Sequence, residues 1–455
     1  MYKQNVMILK LKSLSYLFVF SFILILSGCE KEFNDSDTQL SDSDNLSTAI
    51  IPSDFDWSST KQISINIKVN SLNTEKSDYS VEIFDKNPSD SDAKSLYNID
   101  ASLDKDYTTV MTISKAVTSV YIQKTYPSGQ TSITSEKIDE DILTVDFTDM
   151  VSVKSSSLLR TKGDEDSYPI TETDGGTYTY LFEDCWPKMG DYDMNDLVMD
   201  IQGITYGMST DDDGGITGVN SIDYTVAIRA AGGAYKLGAG IQFDEITPIA
   251  VFYASINKYS KHSDIKPSFL TGEIFTNSSK QVEEGQTKVV IPICDEVHQA
   301  LETSKTMTNT KLEGNTADTL QIKFHIGFNA NRLPLRENVG IENFNVFIVV
   351  NDGIDYGNNT NGDKKRKEIH MAGYALTDLG TNSLFGTESD NSTEHLFKSK
   401  DGLMWGMVVP GHIGYPKEYQ IITKAYPKFK SWAISGGTTN TDWYENPASG
   451  YIYGN

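Results

Sequence analysis

Isoleucine or valine at every second position, with polar residues between, is the feature that most limits what this chain can fold into: Ile63, Ile65, Ile67 and Val69, then Val81 and Ile83. A period of two sends one face of an extended strand into a core and the other into water, which a helix cannot do. Val110 and Ile113, then Val120 and Ile122, mark further strands, and Asn, Asp, Ser and Pro fill the turns between them. Short strands at this spacing predict an Ig-like antiparallel β-sandwich over residues 51–150. Residues 151–176, rich in Ser, Thr, Asp and Gly, read as a linker. Beyond it, Ile222 to Ile228, Ile246 to Phe252, Val289 to Ile293, Leu320 to Phe328 and Phe344 to Val350 read as strands of a larger β-rich domain, residues 177–455. One short helix is legible there: Pro427 suits a first turn, Phe429, Trp432 and Ala433 share a face, and Gly436 and Gly437 supply a stop. The fold class expected is mainly β with few short helices.

The N-terminus carries a different signal. Lys3, Lys10 and Lys12 precede an apolar run from Leu14 to Leu26 that closes on Leu26-Ser27-Gly28-Cys29. A run of about 13 residues is short of the roughly 20 needed to span a bilayer, and suits the apolar core of a secretion signal. A small residue before cysteine is what a lipoprotein signal peptidase needs. Residues 1–28 are therefore expected to be removed and Cys29 to carry lipid, with residues 29–50 an acidic tether. The tether's acidic start is similar to export signals of surface lipoproteins, so an outer-membrane location facing the cell exterior is expected; an ordinary solvated spacer is the plainer alternative.

Charge narrows the partners. The chain carries −24, or −27 without the three signal lysines, which argues against nucleic acid and leaves membrane attachment to the lipid. After Cys29, only Cys185 and Cys294 remain, so at most one disulfide can form, and two buried thiols are the alternative.

Residues Phe182 to Val198, FEDCWPKMGDYDMNDLV, are the most informative stretch. Glu183, Asp184, Asp191, Asp193, Asn195 and Asp196 put five carboxylates and an amide into fourteen residues. Two like charges at 4 Å repel by about 4 kcal/mol at an effective dielectric of 20. Calcium relieves that, since it takes six to eight oxygens and tolerates irregular loops. Asp191, Asp193 and Asn195 alternate as in the start of an EF-hand, but Asp196 stands where that loop needs glycine and Gln202 where it needs glutamate. The competing reading is a solvated loop whose acids accept backbone N–H groups.

The same stretch resembles the signature of the LruC-domain lipoproteins of gram-negative bacteria, which has leucine at Cys185 and phenylalanine at Met194. Both departures keep the position apolar and leave every oxygen in place. The resemblance continues through Arg366 to Tyr374, Gly402 to Pro410, Tyr415 to Tyr419, Ala425 to Gly437 and Asp442 to Tyr444, and the Phe55 to Trp57 segment resembles the way these proteins begin. It implies a surface or periplasmic lipoprotein and no defined activity.

Trp432, Trp443 and Tyr444 are read as core packing, or alternatively as an aromatic platform for a sugar ring. The acidic turns Asp211 to Gly215 and Asp352 to Asp363 read as hairpin tips or cation sites, and Asp318-Thr319-Leu320 fits a bacterial O-glycosylation motif. His370 reads as a strand residue. No nucleophile elbow, zinc-protease motif, phosphate loop or dinucleotide fingerprint occurs, so the chain is not expected to be an enzyme. A calcium-stabilised adhesion module binding an extracellular glycan or protein is the expected function, with an envelope assembly component or a glycan hydrolase as alternatives.

Overall fold

The structure is a computed structural model, and it describes residue 46 and residues 49–69, 77–148, 170–211, 216–259, 270–303, 306–311 and 313–454. Residues 1–45, which include the expected signal sequence, Cys29 and most of the expected tether, lie outside the described residues.

The first half contributes β1 (Thr60–Lys68), β2 (Ser77–Phe84), β3 (Ser95–Leu103), β4 (Tyr107–Ser114), β5 (Ser119–Thr125), β6 (Thr131–Lys137) and β7 (Ile142–Asp146). The second contributes β8 (Ile170–Phe182), β9 (Leu197–Thr210), β10 (Ile216–Ala230), β11 (Lys236–Phe243), β12 (Val251–Tyr259), β13 (Val289–Cys294), β14 (Leu320–Phe328), β15 (Phe344–Asn351), β16 (Lys367–His370), β17 (Gly406–Pro410), β18 (Tyr415–Pro416) and β19 (Ile452–Tyr453). Helices are short: α1 (Val297–Ala300), α2 (Ile422–Ala425) and α3 (Phe429–Ile434). The mainly β expectation therefore holds.

The alternation of Ile63, Ile65 and Ile67 does what the sequence implies, burying all three against Val81, Ile83, Val120 and Ile122 of the facing sheet. One sheet of this sandwich has the order β4-β1-β7, and β1 runs parallel to β7, so the sandwich is not wholly antiparallel.

Its other sheet does not stop at the expected boundary. Strands β12-β14-β10-β9-β8-β3-β2-β5-β6 form one continuous path, with β17 also on β8. The outer edge of β8 is shared end to end: Thr171–Asp174 pair with β3, and Tyr178–Phe182 pair with β17. The linker expected over residues 151–176 is thus corrected at its end, where 170–176 are strand, and the two bodies expected on either side share a sheet. Gly175 lies where a side chain would collide with the Ser95 carbonyl, which is how a Gly-rich stretch reads as loose in sequence and packs tightly here.

A second layer, β13-β11-β15-β16, covers the β8 to β14 part of the long sheet. Tyr224 of β10 stacks on Phe324 and meets Phe344 of β15, ring centroids 5.0 and 5.4 Å away. The strand expected from Ile246 is displaced: Pro248–Ala250 form a 3-10 turn and β12 starts at Val251. The helix near Phe429 forms, buries Phe429, Trp432 and Ala433, and ends on Gly436 and Gly437 with φ of 61° and 76°.

Candidate functional site

The acidic stretch leaves β8 at Phe182 and re-enters the sheet at Leu197 in β9, so both ends are fixed by neighbouring strands. Between them the loop is folded inward. Glu183, Asp184, Asp193 and Asn195 are all buried, while Asp191 and Asp196 are half-buried. Tyr192 and Met194 adopt left-handed φ of 55° and 54°, a conformation costing about 1–2 kcal/mol for a side-chain-bearing residue. These two turns bring Asp191 and Asp193 back to Glu183, and the three offer oxygens within 4.8 Å of one another.

The oxygen accounting separates the six predicted residues. Glu183 Oε1 accepts the Met194 N–H at 2.7 Å, but Glu183 Oε2 is buried with no partner. Asp193 Oδ2 accepts the Tyr419 N–H at 2.7 Å. Asn195 donates Nδ2 to the Pro416 carbonyl at 3.1 Å and leaves Oδ1 buried and unpartnered. Asp196 is used differently, since its Oδ2 accepts the Asp184 N–H at 2.7 Å. Asp184 and Asp196 also face Gly233, and Lys367 stabilises the Asp184 charge. The structure thus brings Glu183, Asp191 and Asp193 within 4.8 Å of one another and places Asp184 and Asp196 against Gly233 and Asn195 against Gly232, with Asp184 still acting on Glu183, and Glu183 and Asp193 on Asp196.

Every one of these buried acids is held above its usual range. Burial dominates for Glu183, with Asp191 adding repulsion; burial dominates for Asp193, followed by Asp191, Glu183 and Glu418. Asp196 is raised by burial and then by Asp184. Carbon lining cannot help such groups, because an ionised carboxylate out of water needs a counter-charge. Three hard oxygens facing one another suit a hard cation such as calcium, and no nitrogen or thiolate enters the trio to favour zinc.

Two contributors escape sequence reasoning. Glu418 adds a further carboxylate to the neighbourhood of Glu183 and Asp193, with Oε2 accepting from Thr310 Oγ1 at 2.9 Å. Gly190 matters because a Cβ there would overlap Glu183 Oε2. The only signal for Glu418 was its place in the Tyr415 to Tyr419 block.

Of the other predicted sites, the acidic turn from Asp211 to Gly215 lies outside the described residues beyond Asp211. Trp432 and Trp443 are 0% exposed and Tyr444 8%, so the sugar-platform reading of these three is corrected. They lie under the N-terminal segment: Phe55 meets Trp432 at 4.9 Å, Trp57 stacks on Phe429 at 5.8 Å, and Trp443 Nε1 donates to Ser59 Oγ at 3.2 Å. His370 is buried in β16 between Asn345 and Glu368, as expected of a strand residue. Cys185 and Cys294 form no disulfide. In the Asp352 to Asp363 turn, Asp352 Oδ1 accepts from Ile354 N, Asp355 Oδ1 from Gly357 N, and Asn359 Oδ1 from the N–H groups of Asn361 and Asp363, at 2.9–3.0 Å. That is a chain of Asx turns.

Residues 218–444 match the profile of a family described as a domain of unknown function, DUF4842. The match begins after the acidic loop and includes Glu418 and the α3 helix. Among solved structures, the chain is similar to a crystal structure of a "putative lipoprotein" from Bacteroides ovatus, with TM-score 0.57 and 18% identity over 82% of this chain and 98% of that one. At that identity the likeness concerns the fold. No curated protein matches the chain.

Proposed function

We propose that this chain is a lipid-anchored envelope protein, displayed on the cell exterior, whose body is a calcium-stabilised binding module. The observation that carries the calcium reading is Glu183 Oε2, an unpartnered carboxylate oxygen buried beside Asp191 and Asp193. Asn195 Oδ1 is a second orphan oxygen on the same loop. Leaving a charged group buried without a partner costs more than the roughly 1–3 kcal/mol of a neutral one, and a bound cation removes that cost. Glu183, Asp191 and Asp193 are the proposed ligands, with Asp184 and Glu418 further carboxylates acting on Glu183. The lipobox ending in Cys29 supports the anchor, and the LruC-like blocks at Phe182 to Val198 and from Arg366 to Tyr444 support an envelope role. Binding of an extracellular glycan or protein, rather than catalysis, is the activity we infer, since no catalytic motif is present.

The calcium reading is tested by melting the metal-stripped protein with and without calcium. Ligand at 100 times its dissociation constant stabilises by about 2.7 kcal/mol. Calcium is expected to raise the melting temperature, magnesium to substitute poorly, and Asp191→Asn with Asp193→Asn to erase the increment. Asp196→Asn is expected to lower stability while leaving the calcium increment in place. A metal-free protein whose melting ignores added calcium would overturn the reading. For the anchor, Cys29→Ala should move the protein out of the membrane fraction; quantitative retention there would refute lipidation.

A further inference from the structure

With Trp432, Trp443 and Tyr444 buried, the aromatic surface of the molecule lies elsewhere. Strand β12 pairs Val251 with Phe328 and Tyr253 with Gly327, so Phe252 is an extra residue inserted in the ladder. Such a bulge breaks the alternation of faces. Its result is two consecutive exposed rings, Phe252 at 64% and Tyr253 at 45%, centroids 5.8 Å apart. The Tyr253 ring lies across Gly327, where a Cβ would stand 2.8 Å from it, so the absence of a side chain there lets the ring lie flat on the sheet.

Polar chemistry is attached to this ring. Asp223 of β10 and His325 of β14 are directly paired across strands, and Asp223 Oδ1 lies 2.8 Å from His325 Nδ1. The other ring nitrogen, Nε2, lies 2.8 Å from the Tyr253 hydroxyl. A carboxylate can only accept, so the Asp223 contact takes a proton from Nδ1, while Nε2 and the Tyr253 hydroxyl share a hydrogen bond. In either sense of that bond the Tyr253 oxygen keeps a lone pair for a donor from solvent. Next to Asp223 the row continues on the same face through Thr205 of β9 and Thr173 of β8, which are in register with it and with each other.

We propose that this face binds a neutral glycan, with a sugar ring stacked on Tyr253 and walled on one side by Phe252, whose ring stands at 82° to it, and with its hydroxyls donating to the Tyr253 oxygen and the outer oxygen of Asp223. The proposal rests on the binding-module reading and locates its surface. The occupant follows from the chemistry of the face. The exposed Tyr253 ring suits the C–H face of a pyranose and the upright Phe252 ring its edge, acceptors suit hydroxyl donors, and a chain of charge −24 with Asp223 in the site repels sulfated or sialylated chains. A protein partner would need an apolar centre where the Asp223, Thr205 and Thr173 row stands.

The test uses the full-length protein in a sugar-free detergent, applied to an array of neutral oligosaccharides beside sialylated and sulfated ones, followed by titration with the best neutral oligosaccharide. Phe252→Ala and Tyr253→Ala should each weaken binding by about tenfold or more, as truncation of an aromatic anchor does, with an unchanged melting temperature. Tyr253→Phe keeps the ring and loses the oxygen, and should fall between. Wild-type affinity in both alanine variants would overturn this placement while leaving a glycan-binding module standing elsewhere. Binding confined to anionic glycans, or self-association abolished by Phe252→Ala, would replace the proposed occupant. A wild-type protein that captures no glycan would sink this inference and the glycan part of the binding reading together.

Discussion

The loops Glu183 to Asp196 and Asp352 to Asp363 are alike in composition and opposite in construction. Both crowd Asp, Asn and Gly into about a dozen residues. In the second, Asp352, Asp355 and Asn359 turn their oxygens back onto nearby backbone N–H groups, and the loop closes its own account beside water. The first buries Glu183 Oε2, Asp184 Oδ2 and Asn195 Oδ1 with nothing to accept from. The difference teaches that acid count does not separate a cation loop from a solvated turn; the destination of each lone pair does.

The largest expected effect is a reversal of sign. Glu183→Gln removes a charge that the metal-free loop holds at a cost and that the loaded loop uses. It should therefore stabilise chelator-treated protein and destabilise protein in calcium, a swing of about 3–4 kcal/mol between the two conditions. Asp355→Asn should change neither by more than about 0.5 kcal/mol. Thermal melts of both variants, with and without calcium, read this directly; a Glu183→Gln variant that shifts the same way in both conditions would erase the contrast.

Burial alone can be separated from orphaned oxygens at Asp174. Its carboxylate is fully used, accepting Gly176 N–H and Tyr178 O–H at 2.8 Å, yet burial raises it from 3.8 to about 6. A raised carboxylate binds its proton more tightly in the folded state, so its contribution is fully present below the unfolded value and is lost as pH rises through about 6. That loss amounts to about 3 kcal/mol, at 1.36 kcal/mol per unit. Denaturant melts between pH 4 and 7 should show falling stability from this group, and Asp174→Asn should flatten it; an unchanged slope would remove Asp174 as its source.

Smaller still is a pair of glycine substitutions. Gly190→Ala puts a methyl onto Glu183 Oε2 and should weaken calcium binding measured by titration, with a stability loss of about 1–3 kcal/mol. Gly357 has φ of 77° and open space around it, so Gly357→Ala should cost about 1 kcal/mol in backbone strain and leave calcium affinity unchanged.

The strands legible in sequence were those whose inward residues are apolar. Leu320 to Phe328 forms β14 over the predicted span. Residues 170–176 were illegible because the inward positions of that strand hold Glu172 and Asp174. Asp174 is satisfied nearby by Gly176 and Tyr178, but the partners of Glu172 come from far away: Arg336 Nε donates to it at 2.8 Å, and Tyr97 and Tyr107 also donate to it. A buried charge breaks a hydrophobic alternation without breaking the strand, and for Glu172 nothing local announces the compensation. The acidic loop was visible as composition, but the meeting of Glu183, Asp191 and Asp193 depends on two left-handed residues, and the acid added by Glu418 comes from more than two hundred residues away. Phe252 shows the same limit, since one inserted residue turned an expected core strand end into an exposed surface.

The placement of Phe55 and Trp57 against α3 has a mechanical side. Trp57 Nε1 is held by the Gly402 carbonyl at 2.9 Å, and Lys398 Nζ grips the carbonyls of Ser53 and Phe55 at 2.9 and 2.7 Å. A load applied from the N-terminal side therefore meets a bolt made of residues 53–57 and the far end of the chain before it reaches β1. To peel the first strand, the pull must first draw two aromatic side chains from their sockets and break the lysine grip in the same motion. If the chain is hung from a lipid on Cys29, as proposed, that arrangement directs strain into the cluster of Phe55, Trp57, Phe429, Trp432 and Trp443 before it reaches β1.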